Sequence, residues 1–194
     1  VTAAGTLELT VELAPGFYEI ELPATQQRFG VTSLPAYEGA RDPFFSIDAA
    51  MSWLVRSDPV REDLVKVLQR TGVAMSRERL NWAQVSPAQG EWDWESPLHY
   101  ETLRRTYAKH GVEVLEMFHG TTRWAGQVGK YPDDLVGTMR AWGEIGRRWR
   151  PTWTAMEVWN EPDIFFGGNL PADQYVPLVR TIAYAFDEAG VDVP

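Results

Sequence analysis

The chain has 194 residues, of which 44% are hydrophobic, and its 18 basic and 27 acidic residues give a net charge of −9. This length and composition predict a folded domain with a substantial core and exclude a disordered chain. The negative charge disfavours nucleic acids and anionic membrane surfaces as partners, since both require a basic surface. Because cysteine is absent and the three histidines lack the spacing of metal ligands, we expect neither a metal nor a cofactor.

The first part of the sequence predicts a β-hairpin. Apolar residues alternate from Leu7 to Leu13 and again from Tyr18 to Leu22, on either side of Pro15-Gly16. A lone hairpin is only marginally stable in water. Residues 1–35 are therefore interpreted as a hairpin and linker, the remnant of a β-sandwich or an N-terminal extension. The irregular segment after the hairpin, rich in glycine and proline, is predicted to lead into a second domain, residues 36–194.

Strands and helices are predicted to alternate through this second domain. The predicted strands are Phe44–Asp48, Val73–Arg77, Val112–Phe118 and Trp153–Glu161, with the start of a fifth at Val191–Val193. The predicted helices begin at Ser57, Ser96, Pro132 and Pro171 and end at Gly72, Gly111, Pro151 and Gly190. Helix ends that recur about every 40 residues indicate repeated βα units, in a barrel or in a doubly wound sheet. No glycine-rich phosphate loop follows the first strand, which disfavours a nucleotide-binding sheet.

One carboxylate stands out at the end of the fourth predicted strand. The apolar run from Trp153 ends abruptly at Asn160-Glu161-Pro162, and a proline prevents the strand from continuing. In barrels of alternating strands and helices, active sites lie where the strands end. An isolated Glu-Pro pair is more often a solvated turn, so the neighbouring residues decide its interpretation.

The full segment, Glu157-Val158-Trp159-Asn160-Glu161-Pro162-Asp163, resembles the clan of retaining glycoside hydrolases with (β/α)8 TIM barrels, whose fourth strand ends in Asn-Glu-Pro. It is most similar to the β-xylosidase and α-L-iduronidase branches. The resemblance extends over about Phe44 to Pro194 and implies the first four βα units of such a barrel. It also implies that Glu161 is the general acid/base and that Asn160 binds the sugar 2-hydroxyl. The clan takes its nucleophile from the seventh strand, which would lie beyond Pro194.

Further substrate-binding residues are implied at the other strand ends. The clan carries an arginine at the end of the second strand that orients the catalytic carboxylates, and Arg77 is the candidate, with Arg79 as its competitor. His119 and Trp124, after the third strand, and Asp48, at the end of the first, are candidates for contacts with the sugar.

Strand alternation predicts the surroundings of Glu161. It places Glu157, Trp159 and Glu161 on one face and Asn160 on the other. Glu157 is expected to face the barrel interior and to need a basic partner there, because an unpaired buried carboxylate is costly. Trp159 and the tryptophan-rich loop Trp82–Trp94 are expected to contribute more to packing than to sugar binding.

The predicted function is retaining, double-displacement hydrolysis of glycosidic bonds in an oligo- or polysaccharide. Half a barrel would need the remainder from the same or another chain, and we expect this chain alone to be inactive. The alternative is a non-catalytic carbohydrate-binding barrel. The lack of cysteine does not fix the cellular compartment, and a secreted or periplasmic location is the favoured expectation.

Overall fold

Parallel strands and helices alternate along most of the chain. The computed structural model describes residues 8–164 and 171–194. Two compact units are separated in it, Val1–Glu38 and Gly39–Pro194. The interpretation of the first unit as the remnant of a β-sandwich remains a prediction.

The first unit contains a β-hairpin, but its strands are not the predicted pair. Strands β1 (Gly16–Leu22) and β2 (Gln27–Ser33) pair antiparallel, with Ile20 opposite Phe29. The prediction of a first strand ending at Leu13 is wrong within the described residues, since residues 8–14 form no strand, while Leu7 lies outside the described residues. The sequence predicts linker over β2, because the polar residues and the glycine of this strand interrupt the alternation of apolar residues.

The second unit is built on a parallel sheet of four strands, in the order β3-β4-β5-β6. These strands are β3 (Ser46–Asp48), β4 (Met75–Asn81), β5 (Glu113–His119) and β6 (Trp153–Val158). The α/β class is thereby confirmed. Spatial order follows sequence order throughout, so the described strands contain no reversal of the kind that divides a doubly wound sheet.

Helices connect the strands of this sheet. They are α1 (Met51–Leu54), α2 (Asp58–Arg70), α3 (Trp82–Val85), α4 (Tyr100–Lys109), α5 (Leu135–Trp149) and α6 (Ala172–Ala189). At the start of α5, the Asp134 carboxylate accepts a hydrogen bond from the backbone N–H of Gly137 at 2.8 Å, which caps the helix. Among the described residues, no helix combines the length and apolar character needed to cross a bilayer.

Several strand boundaries differ from the predicted ones, since β3 begins at Ser46 and β6 ends at Val158. Strand β4 extends to Asn81, so Arg79 lies within the strand. The predicted fifth strand is not formed, although the carbonyl of Pro194 accepts a hydrogen bond from the N–H of Met156 at 3.0 Å and thus lies beside β6.

A buried polar cluster attaches α4 to the helix-facing side of the sheet. Glu78 and Glu116 are neighbours in the register of β4 and β5, and both are fully buried. Arg104 pairs with Glu116 through contacts of 2.8 and 2.6 Å. Glu78 accepts hydrogen bonds from Tyr107 at 2.6 Å and from Ser52 at 2.8 Å. This side of β4 is therefore fixed, and Arg77 and Arg79 alternate onto the opposite side.

Candidate active site

The loop that carries Glu161 leaves β6 through two residues with left-handed backbone. Trp159 has φ of 71° and Glu161 has φ of 45°, which is uncommon for residues other than glycine. Trp159 turns into the core, where it is 2% exposed and packs edge-on against Phe118 and Tyr131. Its predicted packing role is confirmed. The predicted alternation of faces from Glu157 to Glu161 is wrong beyond Val158, because the strand ends there and the backbone reverses its handedness.

Arg77 joins the end of β6 to the middle of β4. Its Nε and Nη2 donate to the two carboxylate oxygens of Glu157 at 2.7 and 2.6 Å. Nη2 also donates to Asn160 Oδ1 at 3.0 Å. Glu157 thus has the basic partner that the sequence required, and the planar guanidinium fixes both groups.

Asn160 connects this arginine to Glu161. Because Asn160 Oδ1 accepts from Arg77, its Nδ2 is free to donate, and it donates to Glu161 Oε2 at 3.1 Å. The residue Glu161 itself is exposed. The candidate acid is therefore accessible from solvent and held by a short chain of hydrogen bonds that starts at a fixed cation.

Asp48 lies beside the same arginine. Its Oδ2 accepts from Arg77 Nη1 at 2.9 Å and from Arg79 Nη2 at 2.6 Å, and its Oδ1 accepts from Arg79 Nη1. The hydrogen bonds from Arg79 keep the pKa of the Asp48 carboxyl below its usual value, and the charge and hydrogen bond of Arg77 add to this effect. The pKa of Arg77 is raised in turn, mainly by its hydrogen bond with Glu157. Asp48 is engaged by two arginines, and its contact with a sugar remains a prediction.

His119 lies at the end of β5, in register with Asn81 at the end of β4. Its ring packs edge-on against Trp53, with 4.7 Å between ring centroids. Burial, together with the charge of Arg79, lowers the pKa of His119 to about 4, so the imidazole is neutral near pH 7. Among the described residues, His119 Nε2 and Asn81 Oδ1 are buried atoms without a hydrogen-bond partner. Unpaired polar atoms of this kind are uncommon in folded proteins and often mark a site that receives a ligand or water.

Trp124 is not brought to Glu161 by any of its described contacts. Its indole Nε1 donates to the carbonyl of Ser86 at 3.2 Å, and its ring packs edge-on against Trp82. Trp82 is fully buried, and the stacked rings of Trp92 and Trp94 are half-buried, in line with the packing role expected for this loop.

Two tyrosines that support the Glu161 loop were not identified from the sequence. Tyr131 donates its hydroxyl to the carbonyl of Pro162 at 2.8 Å, and Tyr175 donates to the carbonyl of Val158 at 2.6 Å. These bonds hold the loop on both sides of Glu161. No local sequence signal marks either tyrosine, because each reaches the loop from an element distant in the chain.

Trp53 and Asn81 were also missed. Trp53 lies under the guanidinium of Arg79, with 5.4 Å from Cζ to the ring centroid, and covers His119. Asn81 approaches Gly120 so closely that a Cβ there would lie 2.9 Å from Asn81 Oδ1, and Gly120 has φ of 81°. The alternation from Arg77 through Arg79 to Asn81 is a signal that would have placed Asn81 on this face.

These residues form a cluster of charged and polar groups at the carboxyl ends of parallel strands. Its chemistry is that of an accessible carboxyl group next to a fixed amide and a paired arginine, which suits proton transfer to or from a bound substrate. In the part of the chain that the structure describes, no three histidine, aspartate or glutamate side chains come together as a metal-binding group.

Comparison with solved structures identifies glycoside hydrolases as neighbours. A family 39 glycoside hydrolase from the gut symbiont Bacteroides cellulosilyticus WH2 is 19% identical, covers 92% of this chain and 38% of its own, and has a TM-score of 0.71. The GH5_18 protein from Streptomyces cattleya, in complex with GlcNAc, is 16% identical, with coverages of 78% and 43% and a TM-score of 0.53. A β-glycosidase from Pyrococcus horikoshii is 13% identical, with coverages of 68% and 35% and a TM-score of 0.51.

This chain thus spans less than half the length of each of these neighbours. No protein-family model matches it, and no curated protein matches it. At such low identity the likeness shows the fold: the chain folds like part of a glycoside hydrolase.

Proposed function

We propose that this chain is the first part of a (β/α)8 barrel that hydrolyses glycosidic bonds with retention of configuration, with Glu161 as the general acid/base. The observation that carries the proposal is the link from Arg77 through Asn160 to Glu161 at the carboxyl end of a parallel sheet. Active sites of such barrels lie at this end of the strands. The fold of the solved glycoside hydrolases supports the same assignment.

In the proposed reaction, protonated Glu161 donates its proton to the glycosidic oxygen while a second carboxylate attacks the anomeric carbon. The bond to the leaving oxygen breaks, and a glycosyl ester forms on the second carboxylate. Glu161, now ionised, removes a proton from water, which hydrolyses the ester and regenerates both groups. The nucleophile is assigned to the seventh strand of the barrel, whereas the described residues form four strands of the parallel sheet.

The arginine and the asparagine have distinct roles in this scheme. Arg77 donates to both carboxylate oxygens of Glu157 and to Asn160, so it holds the end of β6 and the asparagine in fixed positions beside Glu161. Asn160 Oδ1 is held by Arg77, and its Nδ2 moves from Glu161 to the 2-hydroxyl of a bound sugar. His119 and Asp48 are proposed to contact further hydroxyls of the same sugar.

Completion of the barrel is part of the proposal. The four described strands leave β3 and β6 at the edges of the sheet, and β3 is exposed along its length, with Ile47 43% exposed. A cleft of about 160 Å³ beside β6 is lined mainly by apolar side chains, among them Val158, Ile182 and Phe186. Both features suit coverage by further βα units, from the same chain or another.

The alternative, a non-catalytic carbohydrate-binding barrel, is not favoured. A binding protein has no need for an accessible carboxyl group whose position is fixed by its neighbours, whereas an acid catalyst depends on one.

The test is Glu161→Gln in the intact protein, assayed with aryl glycosides that differ in the acidity of the leaving phenol. Substrates with a poor leaving group need the acid, and their kcat/KM should fall at least about 100-fold. For an activated dinitrophenyl glycoside, the rate of glycosyl-ester formation should fall much less, because its leaving group does not need protonation. Asp163→Asn, an exposed carboxylate two residues away, is the matched control and should retain activity. Equal losses on all substrates would count against an acid role.

A further inference from the structure

A groove lies along α5, beside the tryptophan-rich loop. Its volume is about 530 Å³, within the range of small-molecule sites, and its walls include Gln89, Trp92, Trp124, Arg140, Glu144 and Arg147. Glu161, Arg77, Asn160 and Asp48 do not line it. The groove is therefore separate from the candidate active site. It also contains Trp124, which has no role in the proposed reaction.

The two indoles of the groove are fixed in position. Trp124 is oriented by its hydrogen bond to the carbonyl of Ser86 at 3.2 Å, and it lies against Gly137, where a Cβ would come within 2.8 Å of its ring. Trp92 is stacked on Trp94 with 4.5 Å between centroids and 5° between planes. Rigid aromatic walls lose little entropy when a ligand packs on them.

The charge in the groove is positive, in contrast to the net charge of −9 on the chain. Glu144 is neutralised by Arg147, whose Nη2 donates to it at 2.7 Å. Arg140 is exposed, and within residues 8–164 and 171–194 its guanidinium has neither a hydrogen bond nor an ion pair. A guanidinium beside aromatic walls favours a ligand that has both an anionic group and a flat apolar face.

We propose that this groove binds a sugar unit carrying a carboxylate or a sulfate ester, within an oligo- or polysaccharide. The C–H face of the ring packs on Trp92 or Trp124, the anionic group pairs with Arg140, and Gln89 hydrogen-bonds a hydroxyl group. An acidic peptide would satisfy Arg140 but offers no rigid ring face to the indoles. The choice of a saccharide rests on the proposed function, while the choice of an anionic unit rests on the groove alone.

The test is calorimetric titration of the intact protein with oligosaccharides of galacturonic acid, with their neutral methyl esters, and with sulfated galactose oligosaccharides. We expect one of the two anionic ligands to bind at least about 10-fold more tightly than the neutral ester, and which one binds identifies the anionic group. Arg140→Met, which keeps the aliphatic stem, should weaken that binding about 10-fold or more. Arg180→Met, an exposed arginine on α6, is the matched control and should bind as the parent does.

Several results would overturn the inference: no binding of either anionic saccharide, equal binding of the neutral ester, no effect of Arg140→Met, or equal competition by a polyglutamate peptide. Glu161→Gln separates this inference from the proposed function, since it should strongly reduce hydrolysis of substrates with a poor leaving group and leave binding in the groove unchanged. Arg140-dependent binding in a protein that hydrolyses no glycoside would refute only the proposed function. Hydrolysis of glycosides without Arg140-dependent binding would refute only the inference that the groove binds an anionic sugar unit.

Discussion

Arg77 on β4 and Glu157 on β6 share a pair of hydrogen bonds of 2.7 and 2.6 Å. The pair joins β4 to β6 although β5 lies between them in the sheet. Arg77 also donates a hydrogen bond to Asn160, so it connects the sheet to the loop that carries Glu161. The ion pair thus fixes the arginine that positions Asn160 and, through it, the candidate acid Glu161.

Arg77→Ala should therefore reduce activity far more than stability. Removing the guanidinium releases Asn160 and leaves Glu157 without its partner, and we expect kcat/KM to fall by about 100-fold or more. The side chains of Glu157 and Asp48 are 39% and 46% exposed, so water can solvate the released charges and the protein should stay folded. Steady-state kinetics and a denaturation curve measure the two effects.

Arg79→Ala is the matched control for this experiment. It removes the other arginine of Asp48 but leaves the bonds of Arg77 to Glu157 and Asn160 in place. Its loss of activity should be clearly smaller. If Arg77→Ala leaves turnover unchanged, Arg77 does not belong to the site.

Tyr131→Phe tests whether the Glu161 loop needs its support. The substitution deletes the hydrogen bond to the carbonyl of Pro162, with an expected loss of about 1 kcal/mol in unfolding free energy. Because the loop then holds Glu161 less firmly, kcat should fall roughly 10-fold. Tyr184→Phe, an exposed tyrosine on α6, should change neither quantity. Equal activity in the two variants would show that the loop is held by other contacts.

The element order and the strand end that carries Glu161 could be predicted from the sequence, because helix stops and apolar runs are local signals. The continuation of β4 beyond Arg77, as far as Asn81, could not be predicted. Ser76 and Glu78 are polar, yet they are fully buried, since Tyr107 and other groups distant in the sequence satisfy their hydrogen bonds. A polar, charged segment of this kind is indistinguishable by pattern from a solvated loop.

The backbone conformation after Val158 could not be predicted from the sequence pattern either. The alternation rule holds only while the backbone is extended, and Trp159 and Glu161 adopt left-handed conformations. What holds them there is the packing of Trp159 in the core and the hydrogen bonds from Tyr131 and Tyr175. These contacts join residues that are well separated in the sequence, so no local pattern predicts the left-handed residues Trp159 and Glu161.

His119 should make stability depend on pH. In the unfolded chain this histidine takes up a proton below its ordinary pKa of 6.5, whereas in the folded protein it does so only below about 4. The unfolded state therefore binds more protons between these values, and stability falls as the pH is lowered through this range. Going from about pH 7 to about pH 5 should cost about 2 kcal/mol through this group.

His119→Gln removes this contribution. Urea unfolding at both pH values should show a smaller loss at low pH for the variant than for the parent protein. An identical pH dependence for His119→Gln and the parent would place the pKa of His119 near its ordinary value.

The pair of Arg104 and Glu116 allows a sharper test of stability, since both side chains are almost completely buried. Arg104→Met would leave the Glu116 carboxylate without its cation and should cost about 3–5 kcal/mol near pH 7. Arg105→Met, on the same helix but with a side chain that is 72% exposed, is the matched control and should cost less than about 1 kcal/mol.

The cause of that loss can be identified with a second substitution and with pH. Burial already raises the pKa of Glu116, against the opposing effect of Arg104, so removing the arginine should raise this pKa further. A group with a raised pKa in the folded state stabilises it at low pH, so the Arg104→Met variant should regain stability as the pH is lowered. Arg104→Met combined with Glu116→Gln should recover part of the loss at neutral pH, because a neutral amide still accepts the hydrogen bond from Trp153. If the double variant is as unstable as the single one, the loss comes from packing around the arginine and not from the unpaired carboxylate.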